Sequence, residues 1–155
     1  MEATPSPRGT EERRISNDGV PRIRVVAAVI ERGGRFLITQ RRASGSLGGL
    51  WEFPSGKVEE NESDEAALRR ELRERVDVSI DVGEAVAHRT HCYDGYVVEL
   101  VLYKASLARG QEPHPVRVDD LRWVAAGELE NYRFPAADQG TTDQLLGIQR
   151  GKKAL

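Results

Sequence analysis

Glu59, Glu62, Glu71 and Glu74 crowd into one short stretch, Gly56–Val78, which reads GKVEENESDEAALRRELRERVDV. Carboxylate oxygens gathered at this density suit a hard divalent cation such as Mg²⁺, which takes oxygen ligands and keeps several waters. A cation held by such oxygens can polarise a bound group or activate water. The bland alternative is a solvated acidic helix face, whose Glu–Arg pairs contribute only tenths of a kcal/mol.

The elements that must position these acids are legible. Ser63 sits where an N-cap belongs, with Asp64 and Glu65 in the first turn. Leu68, Leu72 and Val76 recur every fourth residue and give a helix one apolar seam. Glu71 and Glu74 lie three apart, so both project beside that seam. Glu59 and Glu62 precede the helix in a loop opened by Gly56.

The stretch resembles the signature of the Nudix hydrolases, G-x5-E-x7-R-E-U-x-E-E-x-G-U with U a bulky aliphatic. Gly56, Glu62, Arg70-Glu71-Leu72, Glu74 and Val78 fall in register. Arg75 stands where the second glutamate of the pair belongs, and Asp77 replaces the glycine. Upstream, Leu50-Trp51-Glu52-Phe53-Pro54-Ser55-Gly56-Lys57 is similar to the LWEFPGGK of the MutT-like branch. Downstream, Phe134-Pro135-Ala136-Ala137-Asp138 is similar to its FPPAN or FPPAD segment.

The resemblance, which runs from about Arg24 to Ile148, implies a role for each matching residue. Glu71 and Glu74 would hold Mg²⁺ or Mn²⁺, and Glu71 would also orient or deprotonate the attacking water. The Ser55 carbonyl, at a position that is usually glycine, would be a further ligand. Arg70 would tie helix to loop by pairing with Glu62 or Glu59. Lys57 would lie close to phosphate, Arg41 would meet ribose or phosphate, Phe53 would pack on a base and Asp138 would bond a purine edge. Two positions carry arginine where the family has an acid. One is Arg75, which at i+4 from Glu71 can pair with it and compete with metal, or can contact phosphate through its fork. The other is Arg117, six residues before Trp123; Asp119, Asp120 or Glu112 are the acids near enough in sequence to substitute. Asp77 tolerates the left-handed conformation that the family glycine adopts at a helix end.

A chain of 155 residues at 39% hydrophobic and 31% charged content suits one core. Its net charge of −2 offers no field for a polymeric nucleic acid. Cys92 is the single cysteine, which excludes an internal disulfide and fits a reducing cytoplasmic home. No apolar run reaches the roughly 20 residues of a membrane span. Residues 1–20 read as a disordered leader, 21–150 as one domain and 151–155 as a tail. Strands are expected at Arg22–Glu31, Arg35–Gln40, Trp51–Phe53, Val78–Ala87, His88–Tyr93, Tyr96–Ser106 and Val118–Val124. Turns fall at Gly33-Gly34 and Asp94-Gly95, a helical turn at Ala126–Asn131 and a closing helix at Gln139–Arg150. His88 and His91 would face opposite sides of a strand and make no ligand pair.

The order of strands and helices indicates α/β or α+β, and the resemblance sharpens it to the Nudix fold, a mixed curved sheet between helices. It implies a MutT-like enzyme that splits a nucleoside triphosphate into monophosphate and pyrophosphate. Two alternatives stand beside it: a Nudix-fold module that binds a nucleotide with weakened catalysis, and a hydrolase of nucleotide sugars or dinucleoside polyphosphates. Oligomeric state leaves no mark in the sequence.

Overall fold

The computed structural model describes residues 13–15, 19–45 and 48–134. The segment carrying Asp138 and the expected closing helix lies outside them. Among the described residues, eight strands, one α-helix and one 3₁₀ helix follow in the order β1 (Arg13–Ile15), β2 (Pro21–Arg32), β3 (Arg35–Gln40), β4 (Trp51–Glu52), β5 (Ser55–Lys57), α1 (Asp64–Val76), β6 (Ile80–Tyr93), β7 (Tyr96–Leu107), β8 (Asp120–Ala125) and a 3₁₀ turn (Ala126–Asn131).

β2 is the spine. It runs parallel to β7, from Arg22 opposite Val97 to Ile30 opposite Ala105. Its other edge pairs antiparallel with β1 and then β5. β6 closes the far side against β7. β3 joins β4 and β8 in a second group, bonded to β2 only where the hairpin begins, at Glu31–Phe36 and Arg32–Arg35. The sheet is therefore mixed, and with its helix the fold is α+β.

Strand geometry sends successive side chains of β2 to opposite faces. Val26, Ala28 and Ile30 meet Ala67, Leu68, Leu72 and Val76 of α1. Ala27 and Val29 meet Phe36, Ile38, Phe53, Leu100 and Leu102. A strand buried on both faces explains its continuous apolar run. Leu72 is fully buried. Leu72→Ala is expected to destabilise the fold by about 2–5 kcal/mol, read as a lower urea midpoint at unchanged slope.

Helix α1 starts and stops as the sequence indicates. Ser63 Oγ accepts the Ala66 N–H at 3.0 Å, and Asp77 takes a left-handed conformation with φ of 57°. The start is also fastened to the sheet: Asp64 accepts two bonds from Arg24, at 2.9 and 2.7 Å, and one from the Tyr103 hydroxyl at 2.5 Å.

Three expectations change. Arg13–Ile15, inside the stretch read as a disordered leader, pairs with Pro21–Ile23 as β1. Residues 80–93 form one strand, not two, because β6 absorbs register shifts between Val82 and Ala87 without leaving β7. The signature loop begins as a strand, since Ser55–Lys57 pairs with Val25–Ala27. Ser55 thus has extended backbone, which explains how serine stands in place of glycine. Among the described residues no helix is long and apolar enough to cross a membrane.

Candidate active site

The site is built where β5, the loop after it and α1 converge. Arg70 is its hub. Its Nε and Nη2 donate to the two oxygens of Glu62 at 2.8 and 2.9 Å, and Nη2 also donates to the Lys57 carbonyl at 2.9 Å. Nη1 donates to Glu71 Oε2 at 2.8 Å. Glu59 and Glu74 stand further off, at 3.8 and 3.7 Å from the same Nη1. Of the two loop acids open as partners for Arg70, Glu62 is the one it grips. The hydrogen bonds from Arg70 hold the Glu62 carboxyl below the ordinary glutamate value of 4.5, with the Glu59 N–H helping and partial burial opposing. A depressed carboxyl contributes stability that is complete above its unfolded pKa and is lost as pH falls through the folded one. Unfolding free energy is therefore expected to drop as pH falls below about 4.5, with a shallower slope in Glu62→Gln, as denaturant titrations across pH 3–6 would read.

Glu71 is buried at 7% exposure and lies against Gly56. A Cβ at Gly56 would overlap its Cγ, Cδ and Oε2, so the glycine at the head of the signature provides the space for this carboxylate. The second Glu71 oxygen, Oε1, accepts Arg75 Nε at 2.5 Å. The anticipated i+4 pair is thus formed, and Glu71 is held by two guanidiniums. Burial works against the charge on Arg75, but the fields of Glu71, Glu52 and Glu74 outweigh it and raise its pKa.

Glu52 is a component that motif reasoning missed. It is 3% exposed, and Oε1 accepts Arg41 Nη1 at 2.9 Å. Its Oε2 and the hydroxyl of Thr39, its cross-strand partner, are buried without a hydrogen-bond partner among the described residues. Its burial follows from the pairing of β3 with β4, for which no local sequence signal exists. Arg41 accordingly sits beside the site at the end of β3. Phe53 is 2% exposed and packs on Phe134 with ring centroids 5.7 Å apart. Its ring, one residue past β4, lies in the core with Ala27, Val29, Leu100 and Leu102. Lys57 carries its side chain half-buried at the end of β5. Asp138 lies outside the described residues.

The acids near enough in sequence to replace the two lost glutamates are engaged elsewhere. Glu112 pairs with Arg32 at 2.9 and 3.2 Å. Asp119 accepts the Ala43 N–H at 3.0 Å. Asp120 pairs with Arg122 and with the Leu121 N–H. Arg117 is exposed, and its N–H donates to the Arg75 carbonyl at 3.1 Å. Among the described residues no three acidic, histidine or cysteine side chains are grouped so as to hold a metal ion; Glu59, Glu71 and Glu74 converge on the Arg70 guanidinium instead. The donor set therefore does not fit a resident, protein-only divalent centre: Glu71 has both oxygens on arginines, and Glu74 is the one carboxylate of the helix pair that faces solvent, at 43% exposure.

The NUDIX domain family matches residues 25–144. The CTP pyrophosphohydrolase of Escherichia coli K12 is 35% identical over 133 residues, spanning 85% of this chain and 97% of that protein. The 8-oxo-dGTP diphosphatase of Buchnera aphidicola is 41% identical over 114 residues, spanning 72% and 84%. Among solved structures, the E. coli ORF135 protein superposes with a TM-score of 0.73 at 33% identity, covering 86% of this chain and 95% of that one. The MutT protein of Methanosarcina mazei Go1 shares the fold at a TM-score of 0.73 and 21% identity, over 86% and 97%. The chain belongs to the NUDIX family, whose members generally use divalent metal ions and act on phosphoric anhydrides. Within it, this is a MutT-like nucleotide pyrophosphohydrolase.

Proposed function

We propose that the chain hydrolyses a nucleoside triphosphate to the nucleoside monophosphate and pyrophosphate, taking the nucleotide as its Mg²⁺ or Mn²⁺ complex. The observation that carries this reading is the seating of the Glu71 carboxylate on Gly56, fixed by Arg70, which in turn holds the loop through Glu62 and the Lys57 carbonyl. A carboxylate placed this firmly is suited to orienting a water for in-line attack on phosphorus. Relatives named for CTP and for 8-oxo-dGTP share the triphosphate and differ in the base, so the triphosphate is the common element.

The metal enters this reading on the substrate. Mg²⁺ is commonly held by one or two carboxylates together with substrate phosphates. Glu74 is the protein carboxylate proposed to meet it, with the Ser55 carbonyl beside it on β5. Lys57 and Arg41 would face the phosphates or ribose, and Asp138 the base. A cytoplasmic location, where nucleoside triphosphates are made and used, is part of this proposal.

The test is a panel of nucleoside triphosphates, nucleotide sugars and dinucleoside polyphosphates with Mg²⁺ or Mn²⁺, resolved by product. Monophosphate and pyrophosphate from a triphosphate support the reading. Turnover confined to nucleotide sugars or dinucleoside polyphosphates replaces it.

A further inference from the structure

Three guanidiniums and three carboxylates follow one another through the site. Arg41 is bonded to Glu52, the Glu52 field reaches Arg75, Arg75 is bonded to Glu71, Glu71 to Arg70, and Arg70 to Glu62. An acid at position 75, as in the family pattern, would put two more negative charges on balance into this row and leave it repelling phosphate until a cation arrived. With arginine there, the row itself is balanced, and Glu59 and Glu74 beside Arg70 are the negative charges left over.

We infer that Arg75 is the resident phosphate-binding cation of this site, a fixed guanidinium doing for the substrate's phosphates what a protein-held divalent ion does elsewhere in the family. Its geometry suits the task. Nε is spent on Glu71, which fixes the plane of the group, while Nη1 and Nη2 donate no hydrogen bond to any described residue. Two parallel N–H donors at the end of an anchored fork match the spacing of phosphate oxygens. The Arg75 side chain as a whole is 31% exposed, so it is not sealed in the core. Its backbone is fixed as well, because the Arg75 carbonyl accepts the N–H groups of Val116 and Arg117 at 3.0 and 3.1 Å. Removal of a metal ligand is thereby coupled to gain of a phosphate ligand at the same position.

The inference takes its ligand class, a polyphosphate, from the proposed function, so the experiment separates the two. Inorganic tripolyphosphate is titrated calorimetrically into the protein in EDTA, and Mn²⁺ binding to the ligand-free protein is followed by the electron paramagnetic resonance of free Mn²⁺. The wild type is expected to bind tripolyphosphate in EDTA, Arg75→Gln to bind it about 10–100-fold more weakly, and Arg75→Lys, which keeps the charge but loses the fork, to fall between. Arg75→Glu is expected to lose that binding and to take up Mn²⁺ at least about tenfold more tightly than the wild type. Equal tripolyphosphate affinity in wild type and Arg75→Gln, or Mn²⁺ binding as tight in the wild type as in Arg75→Glu, overturns the inference. Arg75-dependent binding in a protein that hydrolyses no triphosphate leaves this inference standing and removes the hydrolytic reading. Hydrolysis with Arg75-independent binding does the opposite.

Discussion

Gly56→Ala is expected to lower kcat about 100-fold while the protein stays folded. Gly56 is not among the glycines with positive φ, so alanine meets no backbone strain. The difficulty is local: the new Cβ falls on Cγ, Cδ and Oε2 of Glu71, so that side chain must move. In moving, Glu71 leaves the Arg70 and Arg75 donors at 2.8 and 2.5 Å. A displacement of about 1 Å at a reacting group is worth roughly 100-fold in rate. The stability loss should stay near 1–3 kcal/mol, the cost of overpacking one site. The measurement pairs kcat with a urea unfolding curve, and full activity in Gly56→Ala would show that the Glu71 position does not matter to the chemistry.

Arg70→Ala is expected to do the converse, harming fold and activity together. Removing this side chain abandons Glu62 and Glu71, whose side chains are 15% and 9% exposed, and frees the Lys57 carbonyl. Breaking one partner out of a buried pair costs about 3–5 kcal/mol because the remaining charge stays unpaired. Partial exposure of Arg70 places the expected loss near the lower figure, about 3 kcal/mol. Without the clamp the Gly56–Glu62 segment loses its tie to α1, and a fall in kcat/KM of at least about 100-fold is expected. Arg70→Lys keeps a charge but not the fork that spans Glu62 and the carbonyl together, and should recover less than half of the lost stability. Urea midpoints for the three proteins decide the matter. Equal midpoints would mean that the ion pairs are solvated and idle.

Much of this arrangement could be read from residues alone, for reasons particular to each. Ser63 and Asp77 sit at helix ends, where backbone demand selects a few residue types, and both ends lie where those types stand. Asp94-Gly95 marks a tight hairpin, and Gly95 indeed has φ of 88°. The Arg75–Glu71 pair was legible because i+4 contacts follow from helix geometry. Other features depend on which strands become neighbours. Glu52 looks like any polar residue beside a tryptophan until β4 is laid against β3 and its carboxylate is enclosed with Thr39. Phe53, the next residue, is likewise buried, packed with Phe134. Arg70's choice of Glu62 over Glu59 depends on the turn at Asn61, which adopts φ of 65°. Nothing in the spacing encodes that conformation.

The parallel pairing of β2 with β7 has a kinetic consequence. Its register sets residue 22 against residue 97, and each arginine and glutamate of the site lies on the intervening chain. Parallel strands cannot be joined by a short turn, so this contact closes a large loop before it is rewarded, a topology that slows folding. The active centre should consequently mature only at the final, concerted step of refolding, with recovery of activity tracking β2–β7 docking and not the earlier appearance of helix.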